Sequence, residues 1–110
     1  MGNEGIKIYR HPNPEIISVI LPEEISTYRV EFFKLPISRE SKERMKALGK
    51  IAGIMTEEIM AIPGIKELHV KPDEIRVKKR PSFEWEDIED KLARIIKRAL
   101  LKKRIHLVKG

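Results

Sequence analysis

Residues Ile54 to Lys79, IMTEEIMAIPGIKELHVKPDEIRVKK, decide the fold, because a helix end, a turn and a hairpin follow one another within them. Ile59 and Ile62 continue an apolar series at three- and four-residue spacing, and Pro63-Gly64 then stops it. Proline disfavours helical geometry in the residue before it, and glycine accepts the left-handed backbone of a helix exit. Beyond the stop the period changes. Ile65, Leu68 and Val70, then Ile75 and Val77, read as two short strands flanking Lys71-Pro72-Asp73-Glu74, where proline presets one turn dihedral and aspartate tolerates the rest. A helix packed on a hairpin is the expected unit.

Working upstream, Ser38 to Ile62 is helical in period. Met45, Leu48, Ala52, Met55, Ile59 and Ile62 recur at three and four residues, a core stripe, with Ser38 or Ser41 as the cap. Gly49 and Gly53 lie inside it on one side, each costing about 1 kcal/mol relative to alanine. Either the backbone comes close to a neighbour there or the helix kinks or breaks near Gly49; a continuous or mildly kinked helix is the preferred reading. Further upstream, Ile6, Ile8 and Tyr9 form a short strand, and Glu15 to Leu21 a strand with apolar residues on both faces, hence central or covered. Thr27 to Leu35 gives a third strand, with Tyr28, Val30 and Phe32 opposite Thr27, Arg29, Glu31 and Phe33.

Downstream, a last helix starts at Ser82 or Phe83, after Pro81, with Trp85, Ile88, Leu92, Ile95 and Ala99 as its stripe and Phe83, Ile96 and Leu100 beside it. The tail from Arg104 to Gly110 is a short extra strand or a frayed end, since Ile105 and Leu107 alternate. These elements assemble as an α+β two-layer sandwich, β-β-β-α-β-β-α, a mostly antiparallel sheet with two helices on one face. At 110 residues the chain reads as a single domain over 1–110.

Composition excludes several chemistries. Cysteine is absent, which removes disulfides, zinc–thiolate sites, thiol nucleophiles and any cluster ligated by this chain's own thiolates. His11, His69 and His106 fall in a loop, a strand and the tail without ligand spacing. Ser18, Ser26, Ser38, Ser41 and Ser82 lack a nucleophile elbow, and Gly49-x-x-x-Gly53 is no phosphate loop, because it lies within a helical pattern. The chain reads as a non-enzyme with no metal and no cofactor. It has no long apolar run and no leader pattern, so it reads as soluble and cytoplasmic with no membrane partner. Glutamine is absent and 36% of residues are charged, a composition expected of a hot environment.

Net charge is +6, and residues 71 to 110 carry all of the surplus, thirteen basic against seven acidic. Glu84, Glu86, Asp87, Glu89 and Asp90 open the last helix while Arg94, Lys97, Arg98, Lys102, Lys103 and Arg104 close it, an order that complements the helix dipole and accounts for much of the surplus.

Ile62-Pro63-Gly64-Ile65, then Asp73-Glu74-Ile75-Arg76-Val77-Lys78-Lys79, then Trp85 opening a final helix, resembles the N-terminal domain of the Nfu/NifU iron–sulfur scaffold proteins. His11-Pro12-Asn13-Pro14-Glu15-Ile16-Ile17-Ser18-Val19 is similar to that family's threonine-proline-asparagine-proline-asparagine loop running into a strand, with His11 for threonine and Glu15 for the second asparagine. The resemblance covers about residues 6 to 100 and leaves 101–110 as a basic C-terminal extension; Arg39 to Lys50 is added length, so its helix rests on periodicity alone. In such proteins the cluster sits on a separate C-terminal domain with a Cys-x-x-Cys pair. The resemblance therefore implies an accessory module of iron–sulfur cluster assembly that contacts a cysteine-bearing scaffold or a recipient apoprotein. The surfaces it offers are the loop Pro12, Asn13, Pro14 and the basic edge Arg76, Lys78, Lys79, Arg80. The alternative is a nucleic-acid binder using Lys78, Lys79 and Arg80 with Lys97, Arg98, Lys102, Lys103 and Arg104. It trails because aromatic content is 5% and Phe83 and Trp85 are needed in the core.

Overall fold

The turn between Ile65 and Lys79 forms where its proline and aspartate place it: Lys71 N–H donates to the Glu74 carbonyl at 2.9 Å, and β4 (Ile65–Val70) returns as β5 (Glu74–Lys79). A computed structural model describes residues 5–26 and 30–109, the last four of these by backbone alone. Ahead of the hairpin come β1 (Lys7–Arg10), β2 (Ile16–Ile20), β3 (Glu31–Lys34), α1 (Arg39–Ala47) and α2 (Lys50–Met60); α3 (Trp85–Lys109) follows it. The five strands make one antiparallel sheet in the order β1-β2-β5-β4-β3. Strand β5 is the middle strand, β2 is interior, paired on both sides, and β1 and β3 are the edges.

Register fixes which residues face inward. Ile17 of β2 stands opposite Val77 of β5, Val77 opposite Leu68 of β4, and Leu68 opposite Phe33 of β3. All four are buried, in one cluster with Met45 of α1, Met55 and Ile59 of α2, and Ile88, Leu92 and Ile96 of α3. The helices thus cover this face, and burying each such side chain is worth about 1.5–3 kcal/mol. On β3 the inward residue is Phe33, while Phe32 and Val30 are exposed. Glu31 shares the face of Phe33 and meets Arg44 of α1 at 3.1 Å. Thr27, Tyr28 and Arg29, the start of the strand read from the sequence, lie outside the described residues. The Leu35–Pro36 peptide is cis.

The long helix is two helices. Ser38 caps α1, its Oγ accepting from Ser41 N–H at 3.1 Å, but α1 ends at Ala47 and α2 restarts at Lys50. Gly49, at φ +106° and ψ 160°, makes the elbow. That backbone region belongs almost exclusively to glycine. Gly53 supplies the second requirement: a Cβ there would stand 2.7 Å from the Met45 carbonyl oxygen, so α1 closes onto α2 at a residue without a side chain. The order is therefore β-β-β-α-α-β-β-α, with three helices rather than two. The predicted stripe survives the break, and Met45, Leu48, Ala52, Met55, Ile59 and Ile62 are all buried.

Two ends also move. Helix α2 stops at Met60, with Gly64 at φ +98° in the turn into β4, and α3 begins at Trp85, two to three residues later than read. The tail is neither strand nor frayed: α3 runs through it to Lys109.

Candidate functional site

The loop from His11 to Glu15 is built by its own side chain and by two distant partners. Asn13 Oδ1 accepts from Glu15 N–H at 2.9 Å, and Ile16 N–H donates to the Asn13 carbonyl at 3.1 Å, so asparagine closes the turn that the two prolines stiffen. Trp85 Nε1–H donates to the Pro14 carbonyl at 2.8 Å, tying the loop to the start of α3. The Glu15 carbonyl accepts from Lys79 N–H at 2.9 Å, tying it to the end of β5. Pro12, Asn13 and Pro14 stay exposed on this braced support.

The basic edge divides. Arg76 and Lys78 alternate onto the sheet face away from the helices, opposite Ser18 and Ile16. Lys79 points to the other side and is buried; its ammonium lies 5.8 Å from the Trp85 ring centroid and donates to the Arg80 carbonyl at 3.4 Å. Arg80 is exposed just past β5, at the same end as the loop. So the structure joins Pro12, Asn13 and Pro14 with Arg80, keeps Lys79 as a packing residue, and puts Arg76 and Lys78 on a separate surface.

Three of the six basic residues that close α3 have partners elsewhere in the molecule. Arg98 meets Glu58 of α2 at 3.4 Å, Arg104 meets Glu23 at 2.8 Å, and Lys103 Nζ donates to the Glu24 carbonyl. These contacts clamp the helix to the Pro22-Glu23-Glu24 loop and to α2. Arg10 meets Glu89 near the other end of the helix at 2.7 Å.

The face away from the helices holds a polar group that sequence spacing does not announce. His11 Nε2 and Ser18 Oγ are hydrogen-bonded at 2.7 Å, with the Tyr9 ring edge-on to His11 at 4.9 Å. A Ser–His pair is half of a nucleophile arrangement. Ser18 is 2% exposed, however, and β2 is paired on both sides, so its N–H groups are committed to the ladders and none is aimed at an oxyanion. The pair orders the loop. His69 on the same face packs on Phe32, and burial, reinforced by the charges of Arg76 and Lys71, holds its imidazole pKa below the ordinary value. A groove of about 420 Å³ follows the elbow along Met45, Gly49, Gly53 and Ile54 and is lined by none of these residues. Among the described residues no His, Asp and Glu cluster could hold a metal ion, and no helix is long and apolar enough to cross a membrane.

A profile of the family described as "Scaffold protein Nfu/NifU N terminal" matches residues 6–103. The chain belongs to that family. Solved structures share the fold: a NifU-like protein from Saccharomyces cerevisiae superposes with a TM-score of 0.67 at 18% identity, covering 88% of this chain and 78% of that one. The Staphylococcus aureus protein SAV1430 gives 0.59 at 18% identity over 84% and 98% of the two chains, and SeR13 from Staphylococcus epidermidis 0.54 at 16% over 87% and 98%. At such identities the likeness is one of fold. No curated protein matches the sequence significantly. The Nfu/NifU match takes in the elbow and reaches Lys103, so it includes most of the stretch read from the sequence as lying outside the family pattern.

Proposed function

We propose that this Nfu/NifU N-terminal domain is a non-enzymatic accessory module of iron–sulfur cluster assembly, and that it contacts a cysteine-bearing scaffold or a recipient apoprotein. Family membership supports the assembly role. The observation that carries the accessory part is the absence of cysteine from the sequence: the cluster, as cargo, takes its thiolate ligands from elsewhere. The contact surface is the braced Pro12, Asn13, Pro14 loop with Arg80 beside it. A rigid loop loses little entropy on binding, and an exposed guanidinium suits carboxylates on the partner. The alternative of a nucleic-acid surface on the hairpin edge and α3 is weaker, since Lys78 and Lys79 lie on opposite faces of the sheet and, of the α3 cations Lys97, Arg98, Lys102, Lys103 and Arg104, three already have partners.

Reconstitution with iron and sulfide, followed by titration with a cluster-loaded Cys-x-x-Cys scaffold domain, tests the reading. The chain alone develops no cluster absorbance; with the scaffold it forms a complex that Arg80→Glu weakens and Arg94→Glu on α3 leaves unchanged. A stoichiometric, chelator-resistant cluster on the chain alone overturns the accessory role.

A further inference from the structure

Among the described residues the sheet has one face packed by helices and one that no helix covers, and on this second face the register lines up one side chain from every strand. Tyr9 of β1 lies opposite Ser18 of β2, Ser18 opposite Arg76 of β5, Arg76 opposite His69 of β4, and His69 opposite Phe32 of β3. Rings stand at both ends of this row. Tyr9 is 56% exposed and Phe32 37%, each braced by a histidine, His11 at 4.9 Å and His69 at 4.6 Å between centroids. Four strand spacings separate them, about 19 Å, and aromatic residues on a sheet face are a platform on which unpaired bases stack. Between them Arg76 has a buried Nε with no hydrogen-bond partner among the described residues. The adjoining row brings Lys78 and Lys34 to either side of Glu67, and Lys7 stands beside Tyr9. Four cations thus face two carboxylates, Glu67 and Glu74, and Glu74 already lies 3.7 Å from both Lys71 and Arg76.

We propose that this face binds single-stranded nucleic acid, with bases stacked on Tyr9 and Phe32 and the phosphates between them held by Arg76 and Lys78. The inference concerns a different surface from the loop end and does not depend on the assembly role. Composition distinguishes it from a protein-docking patch. Protein interfaces are depleted in lysine, whereas here Lys7, Lys34 and Lys78 stand around the rings and the guanidinium. Stacking platforms flanking backbone cations are the arrangement of sequence-tolerant single-strand binders.

Fluorescence anisotropy on the full chain with labelled short oligo(U) and oligo(dT) decides it. Binding at micromolar concentration is expected at about 50 mM salt, falling about fiftyfold by about 200 mM if four phosphates are contacted, since the slope for a single strand is about −0.7 per contact. Tyr9→Ala and Phe32→Ala each weaken it about fivefold or more, Tyr9→Phe retains it, and Lys91→Glu with Arg94→Glu on α3 leaves it unchanged. Thermal melts confirm that the variants fold; if Phe32→Ala does not, Tyr9→Ala against Tyr9→Phe carries the test. Three results overturn the proposal: no binding tighter than about 0.1 mM at the lower salt, binding that ignores the ring substitutions but follows the α3 reversals, or a polyglutamate peptide bound by the same ring residues in place of the oligonucleotides.

Discussion

Gly64 sits at φ +98°, and a Cβ built there would stand 2.6 Å from Cγ of Phe83, so two separate costs meet at one residue. Left-handed geometry costs an alanine about 1–2 kcal/mol, and forcing a ring aside in a packed site adds about 1–3 kcal/mol. Gly64→Ala should therefore lower stability by at least about 2 kcal/mol in urea denaturation. In a Phe83→Ala background the same change should cost only the backbone share; an undiminished cost there would place the whole effect in the dihedral. His69 acts through protons instead. Burial, with Arg76 and Lys71 nearby, lowers its folded pKa below 6.5 while the unfolded chain keeps the ordinary value. As pH falls through that value the unfolded state takes up a proton that the folded state refuses, so stability declines below about pH 6.5. His69→Gln should flatten the denaturation midpoint between pH 7 and 5.5, and a slope equal to that of the parent would assign the dependence to other groups.

At the scale of elements the sequence is legible where the determining contacts are local. Pro72-Asp73 between two alternating runs fixes the hairpin, and Pro63-Gly64 ends the helical period, because turn dihedrals belong to the residues themselves. The elbow is harder to read: the stripe from Met45 to Ile62 continues across it, since both helices present the same side to the sheet and only Gly49 and Gly53 differ from an unbroken pattern. The tail misleads in the opposite direction, because the alternation of Ile105 and Leu107 is too short to separate a strand from a last helical turn, and Arg104 and Lys103 anchor the helix through contacts far away in sequence. Of the candidate surface, the Pro12 to Pro14 loop was legible as a rigid turn. The row from Tyr9 to Phe32 was not, because it exists only once five strands have paired in register. The two glycines of the elbow can be separated by substitution. Gly49→Ala meets open space and should cost about 1–3 kcal/mol from its dihedrals alone. Gly53→Ala gains about 1 kcal/mol of helix propensity but pushes against the Met45 carbonyl. A net loss at Gly53 shows that close approach decides there; a net gain in melting temperature would mean that α1 can move off α2.

Among the described residues the molecule is two-layered: helices on one face, an uncovered face on the other, and two strands, β1 and β3, each with one partner. That arrangement ranks the strands by stability. Strands β2 and β5 are paired on both sides and supply Ile17, Val19, Ile75 and Val77 to the core, so their amides can exchange with solvent only when the whole fold opens. Strand β1 has one partner, all four of its residues are exposed, and Arg10 reaches the helical layer through an ion pair with Glu89. Native-state hydrogen exchange should therefore find Lys7 to Arg10 opening well below the global free energy and the β2–β5 ladder opening at it. The same measurement reports on association. Lys7 places a cation on the β1 edge, and a lysine there opposes edge-to-edge pairing with a second copy, so the exchange of β1 should not change with protein concentration. Protection of β1 equal to that of β5, or rising with concentration, would mean that another chain lies along the edge, and that charge alone does not keep it open.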